Sequence, residues 1–219
     1  PASNYGPIGT EAVDLSFSND NNGFVGATGD YSFSAGYENS ASALNSIALG
    51  FRAKAQATNS IAMGSYADAS GQNSIAIGQS TNASGIGAIA IGYQTQATNT
   101  YSTAMGNNTK AFADNAIALG NNTEASGLSS TAMGNNTKAS GSNSTAMGFY
   151  TEATGLNSSA MGRITIASGT NSTAMGELTI ASGINSTALG VLSLASGVNS
   201  TTLGRNTLAS GTNSTAMGN

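Results

Sequence analysis

From Tyr37 onward, the apolar and polar positions of this chain return in the same order every fourteen residues. The copy from Asn135 to Gly148 reads N-N-T-K-A-S-G-S-N-S-T-A-M-G, and its closing glycine recurs without insertion or deletion from Gly36 to Gly218. The residues after each closing glycine are numbered here as places one to fourteen. Place five is alanine in all thirteen copies, place thirteen is always Met, Ile or Leu, and place twelve is alanine except at Thr202. Place three is mostly threonine, and place nine is asparagine in ten of the thirteen copies. Self-similarity at a fixed short period is the mark of a solenoid, in which each repeat packs only against its neighbours.

The alternation within one copy predicts its elements. Places eleven and thirteen carry Ile/Thr and Met/Ile/Leu, while twelve and fourteen carry Ala and Gly. That is period two, a strand with two unlike faces. Places two and four vary freely (Arg52 and Lys54, Tyr66 and Asp68) while three and five stay mostly Thr and Ala. This predicts a second strand with one face toward water. Gly or Ala at place seven and Asn at place nine suit sharp corners. Glycine and β-branched residues through the interior exclude a helix. Two short strands and two turns per copy stack into two parallel sheets back to back, a thin all-β roll.

The first strand is restricted on both faces, so both are expected to be covered, one by the roll and one by another chain. Met, Ile and Leu are expected to fill the roll opposite the small Ala and Thr, with Ala and Gly letting copies of the chain approach closely. The alternative is the reverse, with the large side chains at an oligomer axis. Either arrangement predicts that the chain is not a monomer.

Residues 1–36 are only half in register: Phe24-Val25-Gly26 and Phe33-Ser34-Ala35-Gly36 read as worn ends of the repeat. The open end of a stack exposes unpaired backbone. Residues 1–36 are therefore read as an N-terminal cap and residues 37–219 as the roll. Asp20 and Asp30, in a turn-rich stretch, have no EF-hand spacing and read as solvated turn acids.

Composition narrows the chemistry. Charged residues make up only 7% of the chain, which alone would suggest a disordered Gly/Ser linker, but disorder does not hold a register. With no His and no Cys, imidazole bases, disulfides and the common zinc sites are excluded. A net charge of −4 offers no basic surface for nucleic acid. Serine and threonine abound without a base to activate them. Lys54, Lys110 and Lys138 stand at the outward fourth place, and Glu124 and Glu152 have Lys138 between them. No catalytic residue, cofactor site or metal site is expected, and the chain is read as no enzyme. Lys110, Glu124, Lys138 and Glu152 form a charge ladder that serves register and solubility.

The variable places change character near Arg163. Where earlier copies carry polar or charged residues, the later ones carry Ile164 and Ile166, Leu178 and Ile180, Leu192 and Leu194, then Leu208. These seven are the expected ligand-binding residues, an exposed aliphatic stripe with Arg163, Glu177 and Arg205 as a polar rim. Outward aromatics at Tyr66, Tyr93, Phe149 and Tyr150 would suit sugar rings.

The phrase N-S-[IT]-A-[MIL]-G followed by x-x-[TS]-x-A-x-G, as in Asn59-Ser60-Ile61-Ala62-Met63-Gly64, resembles the head repeat of YadA-like trimeric autotransporter adhesins. The likeness covers residues 37–218. It implies a left-handed parallel β-roll assembling as a homotrimer, at the tip of a fibre on the outer membrane of a Gram-negative cell. It also implies partners among host extracellular matrix proteins, host cell-surface receptors or other bacteria. The family is built as head, neck, coiled-coil stalk and membrane anchor. The 219 residues match only the head of that plan, so the chain is expected to be an excised head or an unfinished array, attached to a membrane only through a C-terminal anchor lying outside it. The alternative is a trimeric fibre or phage-type protein that binds polysaccharide. Ice binding is disfavoured, because the Thr81–Thr95–Thr109 column belongs to the constrained face.

Overall fold

The computed structural model describes residues 7–19 and 25–219; these form strands and turns, with no helix among them. Asp20 and Phe24 lie outside the described residues. The architecture is an all-β parallel solenoid of about 14 turns. The chain divides into two compact units, residues 1–108 and 109–219, built on the same plan.

Each coil contributes a five-residue strand and a two-residue strand. In one coil of the second unit these are Thr145–Phe149, at places eleven to one, and Glu152–Ala153, at places four and five. Both pair in parallel with their counterparts fourteen residues on, Met147 beside Met161 and Glu152 beside Ile166. The first unit repeats this, with Ile61–Ser65 beside Ile75–Gln79. Its pairing reaches into the worn copies: Val13–Phe17 lies beside Phe33–Tyr37, which lies beside Ile47–Phe51.

The corners follow from backbone chemistry. One is the turn Gly141–Ser144, closed by the Ser144 N–H donating to the Gly141 carbonyl at 3.2 Å. Its third residue, Asn143, has φ of 55°, a left-handed conformation that asparagine tolerates well. Stacked in register, these asparagines pass a side-chain amide bond from coil to coil, from Asn143 to Asn157 at 3.1 Å and from Asn157 to Asn171 at 3.0 Å. The other corner falls at place two, where Tyr150 (φ 51°) and Ile164 (φ 54°) are also left-handed. Place two is thus a corner and not, as the alternation suggested, part of the second strand.

The interior overturns the expected filling of the roll. Places three, five, ten and twelve point inward: in one coil Ser144, Ala146, Thr151 and Ala153 are all buried. The Met/Ile/Leu column lies outside, with Met147 37% exposed. Of the alternative assignment, the fold adopts the outward placement of the large side chains. Two tight corners bring the strands of one coil so close that little beyond Ala, Ser and Thr fits between them, Asn39 being the largest side chain buried there, and the pleat then sends places eleven and thirteen outward. So small an interior buries little apolar surface per residue. The coils are held chiefly by main-chain ladders, such as the Thr145 N–H to the Ser158 carbonyl and the Glu152 N–H to the Thr165 carbonyl, both 2.9 Å.

A prediction follows for Met147→Asp. Because the side chain stands outside the roll, far-UV circular dichroism should keep its β signal. Unfolding of the separate chain should shift by less than about 1 kcal/mol, as for other surface changes. Loss of β structure in this variant would put the thioether back inside the roll.

Candidate binding surfaces

The structure brings most of the expected binding residues onto one surface. Ile166, Ile180, Leu194 and Leu208 are in-register partners along the short strands. Each is followed by a buried alanine, from Ala167 to Ala209, so this column forms the outward face of its sheet. Neighbours in such a column stand about 4.8 Å apart. Leu208, at 59%, is the most exposed. Ile164, Leu178 and Leu192 occupy the corner two residues earlier in their coils, with φ of 54°, 53° and 54°. Their N–H groups donate to the first-place carbonyls of the preceding coil, Ile164 to Phe149 at 2.8 Å and Leu178 to Arg163 at 2.9 Å. Of the expected rim, Arg163 and Glu177 form an exposed ion pair with each other, and Arg205 is exposed.

The left-handed corner is an uncomfortable place for these residues. Asparagine occupies it at Asn122, Asn136 and Asn206 with little strain. An aliphatic side chain there costs about 1–2 kcal/mol, and a β-branched one such as Ile164 is a marked outlier.

One further surface was not singled out by sequence reasoning, and another was named there only as the alternative oligomer face. Leu156, Ile184 and Val198 project from the opposite corner, 46%, 51% and 40% exposed. Their signal was an irregular run of apolar residues at place eight. The outer face of the long strands carries places eleven and thirteen, with Thr131 and Met133, Thr145 and Met147, Ser159 and Met161 in successive coils of the second unit. It bears no charge at either place.

In the first unit, Tyr37 and Phe51 stack at 5.3 Å, and Tyr66 meets Phe51 edge-on at 5.4 Å. Arg52 lies over both the Phe51 and Tyr66 rings and pairs with Glu38 at 2.6 Å. The Tyr37 hydroxyl bonds to the Glu38 carboxylate, and this, with the Arg52 guanidinium, holds the Glu38 carboxyl below its ordinary range. The same hydrogen bond to Glu38 pushes the Tyr37 hydroxyl up. Phe149 and Tyr150 meet edge to face at 4.5 Å in the second unit.

The charge ladder is present in register, with Lys138 and Glu124 3.5 Å apart. An exposed pair of this kind contributes a few tenths of a kcal/mol. Among the described residues no group of three or more Asp or Glu is placed to hold a metal ion.

The YadA head domain repeat family, whose unit spans two coils, matches residues 27–53, 41–67, 69–95, 97–123, 125–151, 153–179, 167–193, 181–207 and 195–219. No curated protein matches the chain. The family's domains are structural, of the adhesin type, exposed at the bacterial cell surface and not typically enzymatic. With nine such matches running nearly end to end over a parallel solenoid of the same period, the chain belongs to the YadA head family.

Proposed function

We propose that the chain is the exposed head of a bacterial surface fibre and attaches the cell to host matrix proteins, host receptors or other bacteria through its aliphatic stripe. The observation that carries this reading is the left-handed corner. Ile164, Leu178 and Leu192 stand in a backbone conformation that asparagine occupies with less strain at Asn122, Asn136 and Asn206 of the same unit, and local strain of this kind clusters at functional positions. Together with Ile166, Ile180, Leu194 and Leu208 they form one aliphatic patch across successive coils, and contiguous apolar patches at a surface mark interaction sites.

The fibre reading includes a homotrimer anchored in the outer membrane of a Gram-negative cell by segments beyond this chain. The uncharged outer face of the long strands, with its Met/Ile/Leu column, is the surface on which three copies would meet. Large half-exposed apolar side chains in an unbroken column lose water-exposed area when a second copy covers them. Light scattering at low micromolar concentration tests this, and a single-chain mass persisting at high concentration would rule it out.

The adhesion test is the double variant Ile180→Lys with Leu194→Lys. Both side chains face out from their sheet, so folding and oligomeric state should match the parent. Attachment to a panel of matrix proteins, host cells and glycans should fall by at least about tenfold, the loss expected when charges enter an apolar contact. Full attachment would move the binding site to the aromatic-bearing coils around Tyr66 and Tyr150, the polysaccharide reading.

A further inference from the structure

All seven methionines of the chain stand at place thirteen. Four of them, Met133, Met147, Met161 and Met175, occupy successive coils and are in-register partners. Met147 and Met175 are 37% and 38% exposed, and Met133 and Met161 are half-buried. Packing alone does not demand methionine, because Leu119, Leu189 and Leu203 fill the same place in the same unit. The chain has no cysteine and no tryptophan, so these thioethers are its most readily oxidised groups.

We propose that this methionine column is a site of sulfoxide formation that determines whether the chain assembles. The inference rests on the reading above that the long-strand face is where copies meet. The co-reactant is hydrogen peroxide. The sulfur lone pair attacks one peroxide oxygen, the O–O bond breaks, and the leaving oxygen departs as water after proton transfer. Sulfur loses two electrons and gains one oxygen, and a thiol-dependent sulfoxide reductase reverses the change. The new oxygen is a strong hydrogen-bond acceptor in a column whose in-register neighbours are thioethers, with Leu119 and Leu189 at its ends. Water satisfies it on the separate chain. A second copy laid over the column would strip that water and leave the oxygen short of donors, the nearest on that face being the place-eleven hydroxyls two residues away along each strand. The roll itself is spared, since no methionine points into it.

The test uses the full chain, treated with hydrogen peroxide in denaturant so that every thioether is accessible, then refolded. Mass spectrometry counts one added oxygen per methionine, circular dichroism reads the β-roll, and light scattering reads the mass in solution. The oxidised chain is expected to regain its β signal and to associate at least about tenfold more weakly, the effect of one buried unpaired acceptor. Replacing all seven methionines, from Met63 to Met217, by Leu should leave association unchanged by peroxide. An oxidised parent that still assembles overturns the proposal, as does an oxidised parent that loses its β structure or a Leu variant that dissociates equally. An unoxidised chain that is monomeric at every concentration brings down the assembly reading itself, which separates the two failures.

Discussion

Replacing Gly148 by alanine is expected to divide the second unit's stack at that coil. Gly148 has φ of +129°, a region essentially closed to residues with a side chain. A Cβ built there would lie 2.0 Å from the carbonyl oxygen of Gly162 in the next coil. That obstacle is main chain, so relief requires the two coils to separate. The strain of about 1–3 kcal/mol is then joined by weakened ladder bonds of about 0.5–1.5 kcal/mol each. A total of roughly 3–5 kcal/mol is expected. Because each coil contacts only its neighbours, the damage should appear as a broadened or split thermal transition. Gly87→Asn is the control. Gly87 is also left-handed, with φ of +63°, but its added Cβ meets only the Tyr101 ring, which can turn away. Stability within about 1 kcal/mol of the parent is expected there. If Gly148→Ala melts as the parent does, the close approach of the coils is wrong.

Ala153→Leu is expected to be nearly as harmful for a different reason. Ala153 is fully buried, and the inward neighbours of its coil are Ser144, Ala146 and Thr151. Three extra carbons have no space in an interior two strands wide. Overpacking costs about 1–3 kcal/mol in ordinary cores, where side chains can rearrange. Here the walls are backbone, and about 3 kcal/mol or more is expected. Glu152→Leu places the same leucine one residue earlier, on the outward face where Leu194 and Leu208 stand naturally. Chemical denaturation should find that variant within about 0.5 kcal/mol of the parent. Equal losses for the two would show that the two faces of the short strand are not distinguished by burial.

The parallel solenoid, its fourteen-residue coil and its two strands per coil were legible in the order of residues, because a strand's faces alternate and a solenoid's register must be kept. The corner asparagines were legible too, since asparagine accepts φ near 55° with less strain than most side chains. The seven aliphatic residues of the stripe could be named from their places alone. The strain at Ile164, Leu178 and Leu192 could not, although Asn122, Asn136 and Asn206 at the same place carried the hint. A run of one strand into the next looks continuous in sequence, and only backbone angles show that place two turns.

What the sequence determined by itself is the period, the parity and the absence of the residue types that most site chemistry needs. Period and parity are properties of covalent spacing, and every copy restates them. Which parity class faces inward was decided only by the tertiary structure. Alternation marks places eleven and thirteen as one face and twelve as the other, but it is indifferent to exchanging them. The width between the two sheets settles the matter: the corners are so tight that Ala146 and Ala153 fit inside while Met147 does not. Hydrophobicity, which ordinarily sends the largest apolar side chain inward, is overruled here by volume.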